Sequence, residues 1–245
     1  MDDPIRHDVV DLAAAEGLGR HRGTVLPKRL SAAMICNLMF MVIVGLFLFV
    51  LPAAWFVWVA LQTPNFSRKA AARRLHFFEH GLVEIDRKGE LAAFRWDSMM
   101  ALQEITETYV NGFHTSTTYR YTLHKKDGTV RKITDFYAEP GTWGPFIQQE
   151  IASAQLPGML RMLDEDQQLV FGDISLNRGG IATPKRGAVA WAEIEDVRVD
   201  NGVVALRKSG KWLSWSSKPV KTIPNFVLFL ALVDHLRRSA DAAVR

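Results

Sequence analysis

Residues 31–62 contain no Asp, Glu, Lys or Arg, and this uncharged run limits what the chain can fold into. A helix that crosses the hydrocarbon core of a bilayer needs about 20 successive apolar residues. Thirty-two stand in line here, with Asn37 and Gln62 as the strongest polar interruptions. A soluble helix keeps one polar face, and a stretch apolar on every side does not fit that pattern. A secretory signal fits poorly as well. The run begins after thirty residues, lacks an evident cleavage site, and exceeds an apolar signal region of about 7–15 residues. A transmembrane segment is therefore expected over residues 30–63.

Its length leaves two arrangements open. Thirty-two helical residues rise about 48 Å, against a hydrocarbon core of about 30 Å. Pro52 breaks or kinks a helix, and Trp55 and Trp58 beyond it suit the membrane–water boundary. The segment is either one kinked span ending near Leu51 with an interfacial piece after it, or a hairpin turning near Gly45 or Pro52. Arg20, Arg22, Lys28 and Arg29 precede the run, and Arg68, Lys69, Arg73 and Arg74 follow it. Equal basic flanks set no orientation, although a hairpin with both ends in the cytoplasm would carry them. Cys36, the only cysteine, lies inside the run, so no disulfide within the chain and no thiolate zinc site is expected. That places the protein at the cell membrane with its larger C-terminal part in the cytoplasm. A formal net charge of +4 suits an anionic lipid surface and is too weak to indicate nucleic acid.

Residues 1–29 form an N-terminal segment. Val9, Leu12 and Ala13 at helical spacing predict a short amphipathic helix over 5–16, ended by Gly17. Residues 20–29 read as extended or loop-like. Beyond Arg74 the chain echoes itself. His80-Gly81-Leu82, Arg87-Lys88-Gly89 and Trp96 are followed about a hundred residues later by Gly179-Gly180-Ile181, Lys185-Arg186-Gly187 and Trp191. Each copy then has two strand patterns around a glycine turn, Asp127-Gly128 and Ser209-Gly210, because glycine accepts the positive φ of a tight turn. Each closes on a helix. The first carries Ile147, Ile151 and Ala154 and is expected to stop at Pro157. The second runs from Pro224 through Phe226, Leu230, Val233 and Leu236, ending at Arg237 and Arg238. Residues 107–118 are an insertion in the first copy, read as an extended hairpin or loop. The expected class is α+β: a transmembrane segment with two tandem antiparallel β units over 70–160 and 161–240, each a bent sheet closed by a C-terminal helix.

These motifs resemble the pleckstrin-homology-like (PH-like) domains of bacterial membrane proteins. More closely, they resemble an uncharacterised, largely actinobacterial family of membrane-anchored proteins with PH-like domains. The residues concerned are Phe78-Glu79-His80-Gly81-Leu82, Phe94-Arg95-Trp96, Asp127-Gly128, Trp143-Gly144 and Ile147-Gln148, then Phe171-Gly172, Gly180-Ile181, Trp191, Gly210-Lys211-Trp212 and Ile223-Pro224-Asn225. The resemblance runs from about Val25 to the C-terminus and implies a fold of seven strands and a helix, twice. It supplies no catalytic residues.

His76-Phe77-Phe78-Glu79-His80 matches the H-x-x-E-H metalloprotease pattern, which needs both histidines on one helix face. Gly81 interrupts a helix there. In a strand the two imidazoles would lie about 13 Å apart, so no metal is expected. His114 stands beside Thr115, Ser116, Thr117 and Thr118 without a nucleophile elbow or third member, and reads as a polar loop. No phosphate-binding glycine loop occurs, and no cofactor is expected. The strongest functional signal is basic: Lys125, Lys126, Arg131 and Lys132 around one turn, Lys185 and Arg186 at another, Lys208 and Lys211 at a third. Such clusters can hold lipid phosphates, although solvated charged turns are common. The expected function is a membrane-anchored, non-catalytic binding or scaffolding protein that presents its domains to lipid headgroups or protein partners. A sensor or assembly factor for another membrane protein, and an unrecognised membrane-bound enzyme, are the alternatives.

Overall fold

Short apolar strands separated by glycine turns build four antiparallel meanders in the computed structural model, which describes residues 5–48 and 50–244. The first elements are α1 (His7–Ala15), β1 (His21–Val25), α2 (Ala32–Leu48), α3 (Val50–Ala60), α4 (Arg68–Ala71), β2 (Arg74–Phe78), β3 (Gly81–Ile85) and β4 (Leu91–Arg95). Next come β5 (Met100–Val110), β6 (Phe113–His124), β7 (Val130–Thr134) and α5 (Pro140–Asp164). The chain ends with β8 (Leu169–Phe171), β9 (Ile174–Leu176), β10 (Gly180–Thr183), β11 (Gly187–Ala190), β12 (Ile194–Asp200), β13 (Val203–Lys208), β14 (Ser214–Pro219) and α6 (Phe226–Val244). The sheets run β1-β2-β3-β4, β5-β6-β7, β11-β10-β9-β8 and β12-β13-β14. Two compact units result: Met1–Arg95 with Asp135–Glu139, and Trp96–Thr134 with Pro140–Arg245.

In the first unit α1 lays Val9 and Ala13 against Phe78, Val83, Ile85 and Ala93 of the sheet. Residues 135–139 return to this unit, where Lys28 N–H donates to Phe136 O at 2.7 Å and Ala138 N–H to Leu26 O at 2.9 Å. Glu84 is buried on β3 and is answered by the Arg73 guanidinium and the Tyr137 hydroxyl, each at 3.2 Å. Arg73 also lies 4.2 Å over the Phe136 ring. A buried carboxylate needs such partners.

In the second unit α6 buries Phe226, Leu228, Phe229, Leu232, Val233 and Leu236 in the core. The C-terminal half of α5 joins that core through Leu156, Met159, Leu160 and Leu163. This explains why α5 continues past Pro157 to Asp164. An internal proline costs about 3 kcal/mol, and burying Leu163 fully, at about 1.5–3 kcal/mol, with the other three in part, offsets it. The repeated glycines have one shared cause. A Cβ at Gly81 would meet Phe94 O at 2.2 Å, and one at Gly180 would meet Val189 O at 2.0 Å. In both meanders the next strand crosses too close for a side chain.

Two expectations are corrected. No helix among the described residues is long and apolar enough to cross a membrane, so the transmembrane segment over 30–63 is not present as such. α2 has 17 residues and α3 has 11, rises of about 25 and about 16 Å against a core of about 30 Å. The chain folds back between them. A Cβ on Gly45 would stand 3.0 Å from Ala53 N, whereas residues eight apart on one straight helix are about 12 Å apart. The tandem PH-like units, each closed by its own helix, are corrected too. The strands form four sheets, α5 and α6 share one unit and one core, and β1–β4 belong to the other unit. Of the extended and loop readings of residues 20–29, the extended one holds over His21–Val25, a strand paired with β2. One smaller difference remains. α6 runs on past Arg237 and Arg238 to Val244.

Candidate functional site

α2 and α3 form an apolar hairpin with nothing over it among the described residues. Phe40 is 61% exposed and Trp58 59%, and Met34, Met39, Ile43, Leu46 and Trp55 are exposed with them. On a wheel of about 100° per residue, positions 34, 39, 40 and 43 fall at about 0°, 140°, 240° and 180°. They surround the helix rather than marking one stripe. The base of the hairpin is pinned: Leu30 N–H donates to Asn65 Oδ1 at 2.8 Å, and Asn65 Nδ2 donates to Leu30 O at 3.3 Å. Entry and exit therefore lie side by side, and Lys28, Arg29, Arg68 and Lys69 surround that base, all exposed. Two residues from each basic flank thus stand near the base, whereas Arg20 pairs with Glu79 and Arg73 with Glu84 elsewhere in the unit.

The eight basic residues singled out in the sequence sit on three turns of the second unit. Lys126, Lys132, Lys185, Arg186 and Lys211 are exposed, whereas Lys125, Arg131 and Lys208 are half-buried. Lys125 closes on Asp127 at 3.6 Å and Lys208 on Glu193 at 2.7 Å. The Lys208 ammonium is the first cause holding the Glu193 carboxyl below its usual range. Sequence reasoning gave the next residues on the third turn no functional role. Trp212 is 92% exposed and Leu213 74%, directly after Lys211. Lysine, tryptophan and leucine together at a turn carried the signal, since tryptophan favours membrane interfaces.

The histidine motifs do not assemble a reaction centre. His76 is buried on β2 with Nδ1 2.8 Å from Thr24 Oγ1, and His80 follows in the turn before β3. Burial first, then the charges of His21, Arg74 and Arg6, lower the His76 pKa to about 4. Its Nε2 is buried without a hydrogen-bond partner among the described residues. His114 pairs with Thr117 Oγ1 at 2.8 Å on the exposed part of β6. Among the described residues no group of three or more His, Cys, Asp or Glu side chains is placed to hold a metal ion.

No curated protein and no solved structure matches the chain. One family model does match, over residues 7–242, and the chain accordingly belongs to the family of unknown function DUF6585.

Proposed function

We propose that this is a non-catalytic binding protein anchored on the cytoplasmic face of the cell membrane, its α2–α3 hairpin entering one leaflet without crossing it. One observation carries the reading: the hairpin is apolar and exposed all round, above a collar of four exposed cations. A protein groove covers one face of a helix pair, whereas acyl chains cover every face. The collar suits the headgroup layer, where each basic residue contributes about 1 kcal/mol on an anionic surface. Lys211 beside Trp212, with the other basic turns, supplies further headgroup contacts on this reading.

The test is flotation of the full chain on vesicles of phosphatidylcholine with and without phosphatidylglycerol. Phe40→Asp with Leu46→Asp places two carboxylates on exposed hairpin positions, each costing about 3 kcal/mol at depth. Partitioning of the double variant should fall at least a hundredfold, and the wild type should favour the anionic vesicles. Equal flotation of both proteins, or none by either, refutes the proposal.

A further inference from the structure

Among the described residues β5 is an edge strand, paired only with β6. At Ala101 its free side is closed by Asn225. The Ala101 N–H donates to Asn225 Oδ1 at 2.7 Å, and the Ala101 carbonyl accepts from Asn225 N–H at 2.8 Å. Residues of an antiparallel strand turn their peptide groups alternately towards and away from the partner strand. The register with β6 is unbroken from Met100 to Thr108. With Ala101 facing outward, Gln103, Ile105 and Glu107 face outward too, and among the described residues nothing bonds their N–H or C=O groups.

Those three residues line an open groove of about 850 Å³ within the second unit, with Val199, Val203, Pro219 and Val220 on its far wall. Glu104 is neutralised by Lys221 at 3.0 Å and Arg120 at 2.9 Å. Among the described residues Glu107 receives only the Tyr109 hydroxyl, at 2.8 Å. The groove thus offers a row of open backbone donors and acceptors, an apolar wall and one carboxylate that no cation answers among the described residues.

We propose that this groove docks an extended segment of a partner protein, which adds to β5 as a further strand and directs a basic side chain at Glu107. Residues 103–109 span about 20 Å at 3.3 Å per residue, room for a segment of about six residues. The occupant is a single strand rather than a second copy of this chain. A copy pairing through its own β5 would bring a second Glu104 and Glu107 to an edge that already carries them, like charge against like. The docking needs no lipid and stands whether or not the hairpin enters a membrane.

The probe is a dye-labelled, acetylated heptapeptide of alternating valine and lysine, titrated against the full chain without vesicles and read by fluorescence anisotropy. Its twins carry N-methyl groups on alternate amides, or glutamate in place of lysine. The basic peptide should bind saturably and both twins at least tenfold more weakly. Ile105→Pro removes an outward N–H while sparing the β6 ladder, as edge positions tolerate proline, and should abolish binding. Glu107→Lys leaves the backbone intact and should weaken binding about tenfold. Absence of saturable binding, or binding indifferent to N-methylation and to both substitutions, overturns the proposal.

Discussion

Acidification should loosen the β1–β2 region through one proton on His76. The ring is buried, its Nδ1 meets Thr24 Oγ1 at 2.8 Å and its Nε2 meets no partner among the described residues. A charged imidazole there loses hydration and gains neighbours of its own sign, so the neutral form is held down to about pH 4, against an ordinary value of 6.5. Between those values the unfolded chain takes up a proton that the folded chain refuses, and stability falls as pH falls. The interval is worth about 3 kcal/mol at about 1.4 kcal/mol per pH unit. Below pH 4 both states are protonated and the loss stops growing. His76→Asn keeps a hydrogen-bonding atom near Nδ1 and removes the titration. Urea unfolding of both proteins from pH 7.5 to pH 4 gives the difference directly, because the carboxylates titrate alike in each. The wild type should lose about 3 kcal/mol more than the variant across that range. Parallel curves would show that His76 is protonated in the fold at no cost, and the burial argument would fail.

Two further substitutions probe packing in the second unit. A Cβ at Gly144 would stand 2.5 Å from Tyr121 Oη, and Tyr121 is buried, its hydroxyl pushed up to about 12 mainly by that burial. Gly144→Ala should therefore destabilise by about 1–2 kcal/mol in urea unfolding, the cost of overpacking exceeding the gain in helix propensity. Asn225 has φ +48 and bonds Ala101 and Gln155 from a buried position. Asn225→Ala should cost about 3 kcal/mol, from an orphaned N–H and a strained backbone. Asn225→Gly should recover only the backbone share, measured by the same unfolding curves.

Local geometry was legible wherever one residue type has one physical use. Gly81 and Gly180 stood out in sequence because neither position admits a Cβ. Gly128 and Gly210 marked their turns because both take positive φ. The apolar run over residues 226–233 implied deep burial, and α6 supplies it. What escaped the sequence depends on distant partners. Pro157 reads as a stop until Leu163 is seen in the core with Phe229. Glu84 looks like a solvated residue in β3 until Arg73 and Tyr137 close on it from either side in sequence. The open edge of β5 is invisible in one dimension, since only the sheet order among the described residues leaves it unpaired.

The hairpin marks the limit of hydropathy as a guide. Hydropathy sums apolar residues along the chain and is blind to where the chain reverses, so residues 31–62 read equally as one kinked span or as a hairpin across the membrane. The reversal rests on small residues, Gly45 against Ala53, that let two helices touch, and on Asn65 joining both ends at Leu30. Neither adds to an apolar sum. Once the run is folded in two, the reach of each arm drops below the thickness of a bilayer core, while the apolar area turned outward stays large. A short reach with a large apolar surface is the combination expected of an element that enters a membrane from one side. In that setting two residues from each basic flank, Lys28 and Arg29, Arg68 and Lys69, lie within four residues of the bonded Leu30–Asn65 pair, which marks the depth at which the headgroups would lie.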